Sequence, residues 1–387
     1  MLRAALILAA ALALGGCAVT RPAPVACFAP PTTVAATRGH APEPMAPMLD
    51  AIRAEVRATP PGRPVTFQVA SLSAGGQFGA FGAGFLDGWS DNPATPRPRF
   101  DMVTGVSAGA ILAPAVFAGP AFDDVLRVFR GLAADDVSRR RPLLAILRAP
   151  SFATPAPLER TLRERVDAAL MAAIAARRRD GDALLVAATN LDTSRFTVFD
   201  LGEVAADRAP AAAAACVREA ILASAAIPGL LPPRNIDGAL YADGGLRDQV
   251  FLTAIDTARA RVARETGRAI RVEASLIVNA ALREPSNRAP DSLPGYVGRA
   301  VTILADEVLR DSIVEAVAFA RARPAWTLRG VVSEADVTGP CGLDDVPTGT
   351  FDACVTRELY DEGLRRGRAA PIRWLDADAL EALALDL

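Results

Sequence analysis

The chain has 387 residues, 51% of them hydrophobic, enough to bury one large core. Its formal net charge is −2, so it carries no basic footprint for nucleic acid. Every basic side chain other than the single histidine, His40, is arginine, which excludes chemistry that needs a lysine or paired histidines.

Residues 1–17 read as a targeting segment. Arg3 supplies a positive start, Ala4 to Leu14 is an apolar run too short to cross a bilayer, and small residues follow. Leu14-Gly15-Gly16-Cys17 resembles the lipobox of bacterial lipoproteins. That resemblance implies lipidation of Cys17 and a membrane held through an N-terminal lipid anchor, stable because several acyl chains share one cysteine. Ala18, where aspartate would signal inner-membrane retention, points to the outer membrane facing the periplasm. Residues 18–63 are rich in proline and read as an extended tether, with a short helix from Pro47 to Ala58 and His40 as a solvated residue. Cys27 has no evident partner there.

The globular part opens on an alternating apolar strand, Pro64 to Leu72, that runs into Ser73-Ala74-Gly75-Gly76-Gln77-Phe78-Gly79. A strand, a glycine-rich turn and a helix in that order present free backbone amides at a positive helix end, which makes an anion site. It has neither the lysine of a Walker loop nor the spacing of a dinucleotide fingerprint. Beside a nucleophile such a loop would supply an oxyanion hole.

Phe100 to Thr104 is a second apolar strand, and it turns through Gly105-Val106-Ser107-Ala108-Gly109 into an alanine-rich helix that contains Pro114. A G-x-S-x-G at a strand-to-helix junction exposes the serine hydroxyl on a tight turn, which makes Ser107 the candidate nucleophile. No histidine lies downstream of it and no lysine exists, while arginine stays protonated and cannot act as a base. The partner of Ser107 is therefore expected to be a carboxylate.

Helical periodicity marks Phe122 to Ala133, Pro157 to Arg179 and Pro210 to Ala226, the last with Cys216 on its packed face. Leu184 to Ala188 and Val272 to Val278 read as buried strands, and Asn190 and Asp192 follow the first of these as turn-capping residues. Ala239 to Ala242 is a short strand that ends at Asp243-Gly244-Gly245, which places Asp243 where the active sites of parallel sheets gather. Asp237 and Asp248 are its competitors and read as solvated. Alternation of helices and strands predicts a three-layer α/β/α domain with a central, mostly parallel sheet. Beyond Arg283, long helices are expected at Val297 to Ala320 and Phe351 to Gly367, and Cys341 and Cys354 bracket a loop that a disulfide would stabilise by roughly 3 kcal/mol. The chain has no H-E-x-x-H, paired C-x-x-C or EF-hand loop, so neither metal nor cofactor is expected.

Taken in order, A-G-G-x-x-G (Ala74 to Gly79), G-V-S-A-G (Gly105 to Gly109) and Asp243-Gly244-Gly245 resemble the patatin-like phospholipases. GAFGAGFLDGW and VTGVSAGAILAP are closest to the bacterial lipoprotein branch of that family. The resemblance spans Val65 to Leu282 and implies a serine acyl hydrolase of lipid esters with a Ser-Asp dyad. Ser107 would be the nucleophile and Asp243 the base, with Ala74, Gly75, Gly76 and the Ala108 amide forming the oxyanion hole. Two residues depart from the family pattern: Ala74 stands where a glycine is usual, and Phe78 where an arginine or lysine is common. A soluble-ester esterase or acyltransferase, and a non-catalytic envelope lipoprotein that keeps the fold, are the alternative readings. The expected organisation is a catalytic core over 64–282 with a C-terminal helical extension, 283–387, packed on it.

Overall fold

A computed structural model of the chain describes residues 21–28, 33–36, 46–146, 149–281, 291–333, 341 and 351–385. The strands are β1 (Thr33–Ala36), β2 (Val65–Leu72), β3 (Met102–Val106), β4 (Arg139–Arg140), β5 (Ala153–Thr154), β6 (Ala183–Asn190), β7 (Arg195–Asp200), β8 (Arg234–Ile236), β9 (Ala239–Asp243), β10 (Ile270–Ala281), β11 (Trp326–Ser333) and β12 (Leu375–Asp376). The longer helices are α1 (Ala46–Ala58), α2 (Gly79–Ser90), α3 (Ala108–Ala118), α4 (Ala156–Arg165), α5 (Ala168–Arg179), α6 (Pro210–Ser224), α7 (Ala254–Thr266), α8 (Leu293–Arg321), α9 (Ala353–Arg368) and α10 (Ala377–Leu385).

The main sheet runs in the order β1-β7-β6-β3-β2-β10-β11-β12. Its centre, β6 to β11, is parallel, and its edges are antiparallel. Parallel strands must be covered on both faces, and the two hydrophobic cores show how. Val103, Val186 and Ile277 point to one face, against α2, α3, α5, α6 and α9. Met102, Leu185 and Leu276, their neighbours in sequence, point to the other, against α1, α7, α8 and α10. The result is a three-layer α/β/α domain.

The glycines of α2 serve packing. A Cβ on Gly84 would lie 2.0 Å from the carbonyl oxygen of Tyr360, and one on Gly88 would lie 2.3 Å from that of Leu364, so α2 and α9 approach nearly backbone to backbone. β11 and β12 extend the central sheet, so the C-terminal stretch is more than the expected helical extension. The apolar run Trp326 to Val332 has the length and β-branched content of a strand.

The tether expectation also needs correction where its residues are described. β1 pairs with β7, Val25 bridges Ile236, and the Phe28 ring lies 4.7 Å from that of Phe199. Cys27 is disulfide-bonded to Cys216 on α6. A proline-rich average conceals this short apolar strap, whose side chains find a hydrophobic surface to cover. The expected helix at 122–133 is broken into shorter turns, with Gly131 at φ 81°. The expected helix at 157–179 is two helices, because Asp167 accepts the Leu170 amide at 2.9 Å and starts α5 afresh. α3 runs through Pro114. Cys341 and Cys354 are disulfide-bonded. Cys17 and His40 lie outside the described residues.

Candidate active site

β2 and β3 are neighbours in the sheet, and the glycine loop and the elbow emerge from their C-terminal ends. Ser107, immediately after β3, adopts φ 52° and ψ −117°, a left-handed conformation rare for a residue with a side chain. Two close approaches enforce it. A Cβ on Gly105 would lie 2.5 Å from the Gly109 carbonyl oxygen, and one on Gly109 would lie 2.1 Å from that of Leu72. The strained turn is also pinned from outside, since the Ser107 amide donates to Ser224 Oγ at 2.9 Å and Ser224 Oγ donates to the Ala187 carbonyl at 2.6 Å.

Asp243 reaches Ser107 through strand register. β3 pairs with β6 as far as Val106 opposite Ala187. β9 then takes over as a partner of β6, antiparallel, with Asp243 opposite Ala188. The residue after Val106 and the residue opposite Ala188 thus meet at one place on β6. The Asp243 backbone is held by its own amide, which donates to Ala226 at 2.9 Å, and Oδ1 accepts the Gly245 amide at 2.8 Å. Its Oδ2 is buried and has no partner at hydrogen-bond geometry among the described residues. Burial pushes the carboxyl up to about 6, while the neighbouring Ser107 hydroxyl and the Gly245 amide pull in the opposite direction. A carboxylate so placed is a better proton acceptor than an exposed aspartate.

The glycine loop faces the same space. Gly75 has φ 155° and Gly76 has φ 54°, conformations that favour glycine. Ala74 is absent from the positive-φ residues, so an alanine fits there without strain. Gly76 and Ala108 sit at the first positions of a 3₁₀ turn and of α3, and their amides have no acceptor within their own helices. Ala74, Gly75, Gly76, Ser107, Ala108, Asp243 and Gly245 all line one cavity of about 1280 Å³. Phe78 lines it too, and the more distant walls are mainly apolar, with Ile111, Phe129, Leu162 and Leu231 among them.

The remaining motif glycines allow close contacts. A Cβ on Gly79 would lie 2.9 Å from that of Ala108, and one on Gly244 would lie 2.6 Å from the Ala187 carbonyl oxygen. The competing carboxylates are engaged elsewhere. Asp237 accepts the amides of Cys27 and Phe28 at 2.8 and 2.7 Å and so anchors the N-terminal strap. Asp248 accepts the Val250 amide at 3.1 Å. Asn190 caps a turn by accepting the amides of Asp192 and Thr193, and Asp192 pairs with Arg21.

Sequence reasoning missed three supporting residues. Ser224 was one. Asn279, at the end of β10, donates from Nδ2 to the Ser73 carbonyl at 2.7 Å and from its amide to Ser73 Oγ at 2.8 Å, which fixes the entry to the glycine loop. Gln249 donates from its side chain to the Ala305 carbonyl and from its amide to Ser312 Oγ, which ties the segment after Asp243 to α8. The available signal was a lone polar residue in an apolar run, Asn279 near the end of β10 and Ser224 at the end of α6, whereas Gln249 follows two charged residues and carried no such signal.

Residues 70–256 match the family model described as patatin-like phospholipase. Among solved structures, the crystal structure of VipD from Legionella pneumophila is similar at 12% identity and a TM-score of 0.32, covering 80% of this chain and 68% of that one. No curated protein sequence matches the chain significantly. Among the described residues no helix is long and apolar enough to cross a membrane.

Proposed function

We propose, on the strength of the match of residues 70–256 to the patatin-like phospholipase family model, that this chain is a serine acyl hydrolase that cleaves lipid esters with Ser107 as nucleophile and Asp243 as base. The observation that carries the reading is the meeting of Ser107 and Asp243 on the edge of β6, beneath a large, mainly apolar cavity. Its volume of about 1280 Å³ favours a long acyl chain over a small soluble ester, since sites for small molecules usually span roughly 300–1,000 Å³.

In the proposed mechanism Asp243 takes the Ser107 proton as Oγ attacks the ester carbonyl. The amides of Gly75, Gly76 and Ala108 stabilise the oxyanion, each such donor being worth roughly 10²–10³ in rate. The alcohol leaves with the proton returned by Asp243, and an acyl-enzyme remains. Water, deprotonated by the same carboxylate, then releases the fatty acid and restores Ser107. With no imidazole to strengthen the base, burial of Asp243 and the preformed amides carry the catalysis.

We further infer an envelope location with a lipid anchor at Cys17. The bridges Cys27–Cys216 and Cys341–Cys354 support an oxidising compartment. Metabolic labelling with a radioactive fatty acid, lost in Cys17→Ala, tests the anchor.

The test of the catalytic reading is labelling by a fluorophosphonate probe, together with release of fatty acid from phospholipid. Ser107→Ala and Asp243→Asn should each abolish both. Undiminished labelling in Asp243→Asn would remove the dyad, and no labelling of folded wild-type protein would return the non-catalytic reading.

A further inference from the structure

Large apolar side chains exposed to solvent are few among the described residues, and most gather in one place. Tyr296, Val297, Ile303 and Leu304 lie on the N-terminal half of α8, with Leu304 67% and Ile303 52% exposed. Phe152 and Leu246, also exposed, line the cavity that holds Ser107, as does Val297. Val297 thus joins the exposed apolar group on α8 to the cavity, whose rim carries two more exposed apolar side chains in Phe152 and Leu246. Farther along α8 the exposed positions change character to Glu307, Asp311 and Glu315. A uniformly solvated helix would have no reason for this division.

Charge on the rim supports the same orientation. Arg139, Arg140 and Arg141, on and just after β4, line the cavity and have no carboxylate partner among the described residues. Exposed Arg247, next to Leu246, likewise has none. Asp135 and Asp136 share the rim, and Asp136 accepts the Ala133 amide at 2.9 Å. Unpaired arginines outnumber these aspartates, while the acidic stretch of α8 begins only beyond Leu304.

On the basis of the lipid-hydrolase reading, we propose that the cavity mouth is a docking surface for an anionic lipid bilayer. Tyr296, Ile303 and Leu304 enter the interface, and Arg139, Arg140 and Arg247 meet the lipid phosphates. The acidic part of α8 is held away from the membrane. This orientation places the cavity entrance against the bilayer, so a lipid passes from membrane to Ser107 without crossing water. The docking helix is also joined through Gln249 to the segment that follows Asp243.

The test is co-flotation of the full chain, every protein compared carrying Cys17→Ala so that no lipid anchor contributes, with vesicles of phosphatidylcholine, with and without phosphatidylglycerol. Hydrolysis of a short-chain soluble ester is measured in parallel. Wild-type protein should bind the mixed vesicles more tightly than the neutral ones. The double variant Ile303→Ser/Leu304→Ser should lose at least about tenfold in vesicle binding, because it removes the exposed apolar surface, and should keep soluble-ester hydrolysis. Arg139→Gln/Arg140→Gln should lose about fivefold per charge on the anionic vesicles and little on neutral ones. Wild-type binding by the serine double variant, no preference for anionic vesicles, or a self-associated protein that ignores vesicles would each overturn the proposal. If wild-type protein binds vesicles as described but hydrolyses no ester, the catalytic reading fails while the surface stands.

Discussion

Ser224 Oγ accepts a hydrogen bond from the Ser107 amide and donates one to the Ala187 carbonyl, so one buried hydroxyl joins the elbow to β6. Ser107 holds an unfavourable φ, and this bond is part of what keeps it there. Ser224→Ala leaves a buried N–H and a buried carbonyl without a partner, at a cost of about 1–3 kcal/mol. The expected outcome is a lower thermal midpoint together with a fall of at least about tenfold in ester hydrolysis, from loss of the near-attack position of Oγ. Thermal denaturation and initial rates measure the two effects. Unchanged values for both would mean that the elbow holds itself.

Asp243 links activity and stability through pH. Its carboxyl titrates at about 6 in the folded protein against an ordinary 3.8. In the proposed mechanism only the ionised form accepts the Ser107 proton, so kcat/KM should fall on the acid side with an apparent pKa near 6. Stability moves the other way. The folded state binds this proton more tightly than the unfolded state, so the contribution is fully present below about pH 3.8 and is lost as pH rises through about 6. The difference amounts to about 3 kcal/mol at neutral pH. Asp243→Asn should therefore be inactive yet more stable than wild type at pH 7, and the advantage should vanish in acid. Thermal melts of both proteins across that range decide it, and a less stable Asn variant at neutral pH would show that ionised Asp243 carries no burial penalty.

The elbow and the Asp243 turn are legible in the sequence because each compresses its geometry into a few adjacent residues. Gly105 and Gly109 mark close approaches, and the absence of lysine and of any histidine downstream of Ser107 selects a carboxylate. The handover from β3 to β9 along β6 is not legible in this way, since it is a pairing between segments far apart in the chain. Ser224 and Asn279 are visible as polar residues in apolar surroundings, but their acceptors are not. The break before α5 was readable in Asp167, an N-cap residue masked by helical composition on both sides, charged before it and alanine-rich after it. The strap at 21–28 was hidden for a different reason. Its apolar content is small, and only the surface it covers, between Phe199 and Cys216, gives that content a purpose.

The glycine loop separates space from conformation. A Cβ at Gly75 would fall 1.4 Å from the Asn279 carbonyl oxygen, whereas one at Gly76 meets nothing within 4 Å. Gly76 is left-handed, so alanine there costs about 1–2 kcal/mol in backbone strain without displacing a neighbour. Gly76→Ala should fold with a modest loss of stability and measurable hydrolysis. Gly75→Ala should fail to fold or should be inactive, because the loop and β10 cannot both stay in place. Circular dichroism melts and ester hydrolysis on the two variants provide the comparison. Equal tolerance would show that the loop does not rest on Asn279.

The two disulfides should differ in their contribution to stability. Cys27–Cys216 joins residues 189 apart in sequence, and Cys341–Cys354 joins residues 13 apart. If each acts mainly by restricting the unfolded chain, the first is worth about 5 kcal/mol and the second about 3 kcal/mol, with strain and residual unfolded structure reducing both. The long bridge has a second effect, because it holds the strap whose Phe28 covers Phe199. Cys27→Ser should therefore lower the thermal midpoint more than Cys354→Ser. Reductant should bring wild-type protein down to the level of the variant that lacks both bridges. The measurement is a set of melts on the four proteins with and without reductant. A larger effect from the short bridge would place the stabilisation in local packing around Cys341 rather than in chain entropy.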